Sequence, residues 1–96
     1  MAEPKHRFLI AYDVREAKRL RRVHRELLGC GTNAQYSVFV CRLTMRQYRF
    51  LRWRLERIMA AEDTLLAVRL TPNCLWEARG PGPLDLDQTD PSFIVV

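Results

Sequence analysis

Ninety-six residues are enough for one domain, and a domain of that size buries only roughly 60–65% of the surface its unfolded chain exposes, a thin margin that pairing with a second copy would widen. Nearly half of the residues, 48%, are hydrophobic, yet no run approaches the roughly 20 apolar residues needed to span a bilayer, so a membrane helix is excluded and a globular, soluble chain is predicted. The net charge of +5 points toward polyanions, while Cys30, Cys41 and Cys74 are odd in number, far apart and without a C-x-x-C pair or a histidine at ligand spacing, which argues against a disulfide framework or a zinc site.

The opening residues, MAEPKHR, carry no apolar signal-peptide core, which leads to the expectation of a cytoplasmic protein. Arg7–Val14, RFLIAYDV, then supplies the first strand. Phe8 to Tyr12 is a nearly unbroken apolar run, as expected of a strand covered on both faces. Asp13 stands where the strand gives way to a helical pattern. Two uses fit that position: a polar side chain offered to a ligand from a strand's carboxyl end, or an N-cap for the helix that follows.

Glu16 to Leu28 has helical periodicity, with Ala17, Leu20, Val23, Leu27 and Leu28 on an apolar stripe and Lys18, Arg19, Arg21, Arg22 and Arg25 on the remaining surface. His24, at the edge of the stripe, is expected to be structural. Gly29 or Gly31 is expected to end the helix in a left-handed conformation, and Gly31–Ala34 to lead into the next strand. The letters GCGTNA match a dinucleotide fingerprint, but that motif must follow a strand and open a helix, and here the order is reversed. Gln35 to Leu43, QYSVFVCRL, alternates apolar side chains and reads as one strand; a two-layer topology would require it to bend or to split into two short paired strands at a point the sequence does not mark.

Thr44 with Gln47 three residues on is a capping box that starts a second helix. Tyr48, Leu51, Leu55, Ile58 and Met59 form its buried stripe, and Arg46, Arg49, Arg52, Arg54 and Arg57 populate its other faces. Phe50 and Trp53 lie among those arginines and are ranked first as core at the edge of the stripe, then as a dimer contact, then as platforms beside phosphates. Glu62-Asp63 marks a turn, Thr64–Leu70 a strand, and Pro72 its end. Pro81, Pro83 and Pro91 with Gly80 and Gly82 make the next stretch extended or loop-like, and the apolar Phe93–Val96 is expected to add a strand to a sheet edge, its own or a partner's. The expected organisation is a core over residues 1–72 and an extension over 73–96 within a single domain. Strand, helix, one or two strands, helix, strand and a C-terminal strand together describe an α+β sandwich, most simply ferredoxin-like, with two helices on a mostly antiparallel sheet.

Charge is unevenly distributed along this plan. Between Arg15 and Arg57 twelve basic residues face three acids, a local excess of nine, and eleven of the twelve are arginine; Glu62 to Val96 carries six acids and two arginines. Arginine's planar fork holds a phosphate through two hydrogen bonds at once. A basic excess with so few acids to pair with therefore favours phosphate binding over a merely solvated helix surface.

A first strand ending in Tyr12-Asp13 ahead of a basic helix, QYSVFVCRLT running into a second helix, TLLAVRL and the small size together make the chain resemble the family of the second CRISPR-associated adaptation protein, the compact partner of the spacer integrase. The resemblance covers most of the core, with QYSVF its most specific part, and thins beyond Pro72. It implies a ferredoxin-like homodimer whose last strand crosses to the other subunit in some arrangements. It also implies that Asp13 of each subunit meets its mate near the two-fold axis, where the pair holds one Mg²⁺ as metal ligand and catalytic group. Some members of the family are described as metal-dependent endonucleases on RNA or double-stranded DNA, and the dimer sits between two integrase dimers on the DNA to be inserted.

Two carboxylates brought together repel unless a cation lies between them, which is the physical case for a metal at an Asp13 pair. Glu16 is the only other acid nearby in sequence, and neither histidine is adjacent to serve as a base. Arg15, Lys18, Arg19, Arg22, Arg46 and Arg49 are the residues expected to contact nucleic acid, through its phosphates and hence without sequence preference. A ferredoxin-like RNA-binding module without catalytic activity is the alternative; it would need exposed aromatics in a Gly-containing motif on the central strands, and QYSVFVCRL has no glycine.

Overall fold

Backbone pairing builds a four-stranded antiparallel sheet in the order β2-β3-β1-β4, from β1 (Lys5–Asp13), β2 (Gly31–Gln35), β3 (Val38–Thr44) and β4 (Thr64–Leu70). The computed structural model describes residues 3–35, 37–75, 77–78 and 94–95. Helices α1 (Ala17–Leu28) and α2 (Met45–Ile58) connect β1 to β2 and β3 to β4. This is the expected ferredoxin-like α+β arrangement, with β1 and β3 central and β2 and β4 at the edges.

Strand alternation decides which side chains are buried. Phe8, Ile10 and Tyr12 of β1 and Phe39, Cys41 and Leu43 of β3 face Val23 and Leu27 of α1 and Leu51 and Leu55 of α2 in one core. Tyr48 of α2 stacks on Phe8 with ring centroids 4.3 Å apart. Cys41 is a small buried hydrophobe, and burial pushes its thiol up to about 12. On the other face of the sheet, register aligns Leu9 with Val40 and Val68, and Ala11 with Val38 and Leu66. No described helix crosses this face, and Leu66 and Val68 remain 54% and 42% exposed. Among the described residues the helices thus cover the apolar run of β1 on one side.

The QYSVFVCRL stretch does split. Ser37 lies in a turn, Val38 opens β3, and the segment Gly31–Ala34, read as a connection, belongs to strand β2. A register shift between Asn33 and Gln35 and a hydrogen bond from Asn33 Nδ2 to the Val38 carbonyl (3.2 Å) bend the hairpin. Neither Gly29 nor Gly31 takes a left-handed conformation; Gly29 caps α1 at φ −75°. Gly31 is needed for a different reason, since a Cβ there would lie 2.5 Å from both Cys41 Sγ and the Val40 carbonyl oxygen.

Both helix starts follow from side-chain acceptors. Thr44 and Gln47 form the capping box anticipated for α2. At α1 the cap is Glu16, which accepts from the Lys18 and Arg19 N–H groups at 3.0 and 2.8 Å, so Asp13 is not the cap. The apolar stripe of α1 is narrower than its periodicity implied: only Val23 and Leu27 are buried, while Leu20 and Leu28 are exposed. Phe50 and Trp53 are likewise outside the core, more than half exposed and stacked on each other at 6.0 Å. Beyond the main sheet, β5 (Glu77–Ala78) pairs in parallel with β6 (Ile94–Val95), so the C-terminal strand joins a segment of its own chain. The proline-containing stretch 79–93 lies outside the described residues. No described helix is long and apolar enough to cross a membrane.

Candidate nucleic-acid interface and the Asp13 carboxylate

Asp13 is the last residue of β1, aligned with Thr64 of β4. Alternation along β1 gives it the same face as Leu9 and Ala11, at the end of the open apolar sheet surface. Its side chain is 62% exposed and its Oδ2 lies 3.6 Å from a guanidinium nitrogen of Arg15. Because Glu16 has taken over the capping, the Asp13 carboxylate is left for solvent, Arg15 or a ligand. Among the described residues no three His, Cys, Asp or Glu side chains gather into a metal site.

The basic residues fall into separate groups. Arg15 stands beside Asp13, with its backbone N–H donating to Asp63 Oδ1 at 2.9 Å. Lys18 is exposed on the first turn of α1. Arg19, a little over half a turn from Arg21, is instead drawn inward. Its Nε donates to Asp63 Oδ2 (3.0 Å), a terminal nitrogen donates to Glu62 Oε1 (2.8 Å), and another lies 3.8 Å from Glu16. The Asp63 side chain has no exposed surface and also accepts from the Ala60 N–H at 2.8 Å. The Arg19 hydrogen bond, with those from the Ala60 and Arg15 backbone, holds this carboxyl well below the usual range. This network ties the start of α1 to the turn before β4 and was not legible in sequence, where Glu62-Asp63 signalled only a turn.

Arg22 projects from α1 into a shallow groove shared with Trp53, Arg54 and Arg57 of α2. Glu26 is the acid in that groove and pairs with Arg54 at 2.6 Å. Arg57 lies over the Trp53 ring at 4.8 Å and Arg54 over Phe50 at 5.7 Å, which holds the two exposed aromatics against the cations. Arg54 and Arg57 thereby join Arg22 as candidate phosphate contacts. Their i, i+3 spacing on the helix is the feature that places them together. Arg46 and Arg49 form a third group at the start of α2, lining a cleft with Glu3, Pro4 and His6; Arg46 is 85% exposed and pairs with Glu3 at 3.1 Å. Arginines on exposed helix surfaces suit the non-directional, salt-sensitive attraction that a phosphate backbone exerts.

Known proteins share this sequence pattern and fold. The sequence model of the family described as "CRISPR associated protein Cas2" matches residues 6–78. The chain is 41% identical over 90 residues to the CRISPR-associated endoribonuclease Cas2 of Thermus thermophilus, covering 90% of this chain and 94% of the relative. It is 49% identical over 76 residues to the CRISPR-associated endoribonuclease Cas2 2 of Thermodesulfovibrio yellowstonii, covering 78% and 84%. Among solved structures, a hypothetical protein from Thermus thermophilus superposes with a TM-score of 0.76 at 31% identity, covering 83% of this chain and 96% of that one. Streptococcus pyogenes Cas2 at pH 6.5 superposes with a TM-score of 0.65 at 30% identity, covering 70% and 88%. With strand, helix and hairpin in the same order and the match running through nearly the whole described core, the chain belongs to the Cas2 family of CRISPR-associated proteins.

Proposed function

We propose that two copies of this chain pair through their open sheet faces to form a nucleic-acid-binding adaptor that works with the CRISPR spacer integrase, and that the two Asp13 carboxylates form a metal-dependent phosphodiester-hydrolysing centre on the dimer axis. The observation that carries this reading is the position of Asp13: exposed, uncommitted to a helix cap and at the end of an apolar sheet face on which Leu66 and Val68 stand exposed among the described residues. Covering Leu66, Val68 and their neighbours would add the apolar burial that a chain of this length lacks. The named endoribonuclease relatives support a nuclease activity.

One chain supplies a single carboxylate at this place, which is too little to hold a cation. Two Asp13 side chains supply hard oxygen donors of the kind Mg²⁺ takes, and that ion uses only one or two carboxylates and keeps several waters. The donor chemistry therefore fits Mg²⁺, held by Asp13 from each copy. When bound, such an ion neutralises charge on a scissile phosphate and lowers the pKa of an attacking water. Asp13 in this arrangement orients and holds; Arg15, 3.6 Å away, contributes positive charge for the phosphate. Arg22, Arg46 and Arg49 with exposed Lys18 bind the backbone of duplex DNA on either side, and each phosphate neutralised adds about −0.9 to the slope of log K against log salt. Arg19, spent on Asp63 and Glu62, supports the fold of the site more than it supplies free charge.

A cleavage time course on labelled RNA and duplex DNA, with and without Mg²⁺, tests the catalytic part. Wild-type protein is expected to cut only with the metal, and Asp13→Asn prepared in parallel is expected to be inactive while still binding duplex. Equal cutting by both proteins, or none by either, would eliminate the Asp13 centre and leave an architectural DNA-binding dimer.

A further inference from the structure

On the helix side of β1, next to Asp13 in sequence, Tyr12 meets His24 of α1: the phenol oxygen lies 3.0 Å from His24 Nδ1. The Tyr12 hydroxyl donates to Nδ1, which puts the ring hydrogen of His24 on Nε2. Among the described residues Nε2 has no hydrogen-bond partner, and no buried side-chain nitrogen or oxygen lacks one, so Nε2 is open to solvent. His24 also packs edge-to-face on Phe39 at 5.2 Å, which holds the ring in place.

This pair lines an open cleft of about 670 Å³ between α1 and the β2–β3 turn at Ser37, within the range of small-ligand sites. Leu20 and Leu28, four residues before and after His24, line it as apolar walls and are 37% and 54% exposed. Arg21 and Arg25 line it as cations, and neither is paired with an acid in any described ion pair. An apolar slot, an imidazole donor and two guanidinium groups match a ligand with a flat apolar ring, hydrogen-bond acceptors at the ring edge and a phosphate. A base inside a duplex hides its faces in the stack, whereas an unpaired base presents them. We propose that this cleft takes one unpaired nucleotide of a single-stranded nucleic acid, with the base against Leu20 and Leu28, an acceptor of the base or sugar on His24 Nε2, and the flanking phosphates on Arg21 and Arg25. The site is distinct from the Asp13 carboxylate, which lies on the opposite face of the sheet, and it rests on the reading of the protein as a nucleic-acid binder.

Full-length protein with ¹³C-labelled histidine, titrated with a penta-uridine RNA, a pentathymidine DNA and a blunt 20-base-pair duplex, tests the cleft. The His24 ring resonances are expected to shift with a single strand and not with the duplex. Leu20→Ser with Leu28→Ser, both at exposed positions and so compatible with folding, is expected to weaken single-strand affinity about tenfold, in the range of one base contact, and to leave duplex affinity within about twofold. Arg21→Ala with Arg25→Ala is expected to reduce the single-strand salt slope by about 1.4, from two contacts of about 0.7 each. A silent His24, or a leucine variant that weakens duplex and single strand alike, overturns the cleft. Duplex binding by the wild type without any single-strand response would sink the cleft alone, while binding of neither would sink the nucleic-acid reading itself.

Discussion

Asp63 shows how one side chain decides what a neighbouring arginine is for. In sequence Arg19 is one of a row of equivalent cations; in the folded chain three donors converge on Asp63, and Arg19 is the side chain that completes the set. The Asp63 carboxyl is held low in the folded state by Arg19 and the two backbone N–H groups, so its contribution to stability is present above the unfolded value near 4 and is lost as pH falls below it. Asp63→Asn is therefore expected to melt at a lower temperature than wild type at pH 7, with the gap narrowing as the pH of a calorimetric series drops below about 4. Glu16 is held low in the same direction but is present in both proteins, so its effect cancels. A gap that stays constant down to pH 2 would show that the Asp63 network does not depend on charge.

At the scale of elements, the β2–β3 hairpin explains a glycine that sequence reasoning assigned to the wrong task. Either Gly29 or Gly31 was expected to end α1; Gly29 does, and Gly31 lets β2 approach Cys41 and the Val40 carbonyl. Gly31→Ala is expected to cost about 1–3 kcal/mol, the usual range for forcing an extra carbon into a packed site. The double change Gly31→Ala with Cys41→Ala should recover only part of that loss, because the Val40 carbonyl, at the same 2.5 Å, cannot be trimmed by mutation. Full recovery in urea unfolding would place the whole conflict at the Cys41 side chain. The helices were more legible: the Thr44–Gln47 box and the Leu51/Leu55 stripe are local patterns at fixed spacing, and both appear where the spacing puts them. The wider stripe expected of α1 failed because periodicity counts Leu20 and Leu28 as apolar whether or not anything packs on them, and both line an open cleft.

For the whole molecule, the sheet face carrying the exposed Leu66 and Val68 is the surface on which the proposed dimer depends. A charge at Leu66 or Val68 costs little in an isolated chain, where both are about half exposed, but would be buried without a partner in a face-to-face dimer. If the proposed dimer forms, wild type sediments as a dimer and Leu66→Asp with Val68→Asp is expected to sediment as a folded monomer and to lack any metal-dependent cleavage found for wild type. A doubly substituted protein that stays dimeric would move the two-fold contact to another surface and separate the two Asp13 residues.

The alternation of strands and helices, the N-cap of α2 and most of the core were determined by sequence alone, because they depend on local spacing: alternation in β1, the capping residues of α2, the strand-forming TLLAVRL; the α1 caps and the split between β2 and β3 were not. The basic excess was equally plain, since charge can be counted without a fold. What only the tertiary structure decided is which of those charges are free. Arg19 is consumed by acids 43 and 44 residues away, Arg22 is joined by Arg54 and Arg57 from another helix, and His24 finds Tyr12 across 12 residues of chain. No local pattern encodes such pairings, because each is set by how two elements pack and not by the spacing within either. For the same reason the release of Asp13 from capping became visible only once Glu16 was seen to accept the first N–H groups of α1.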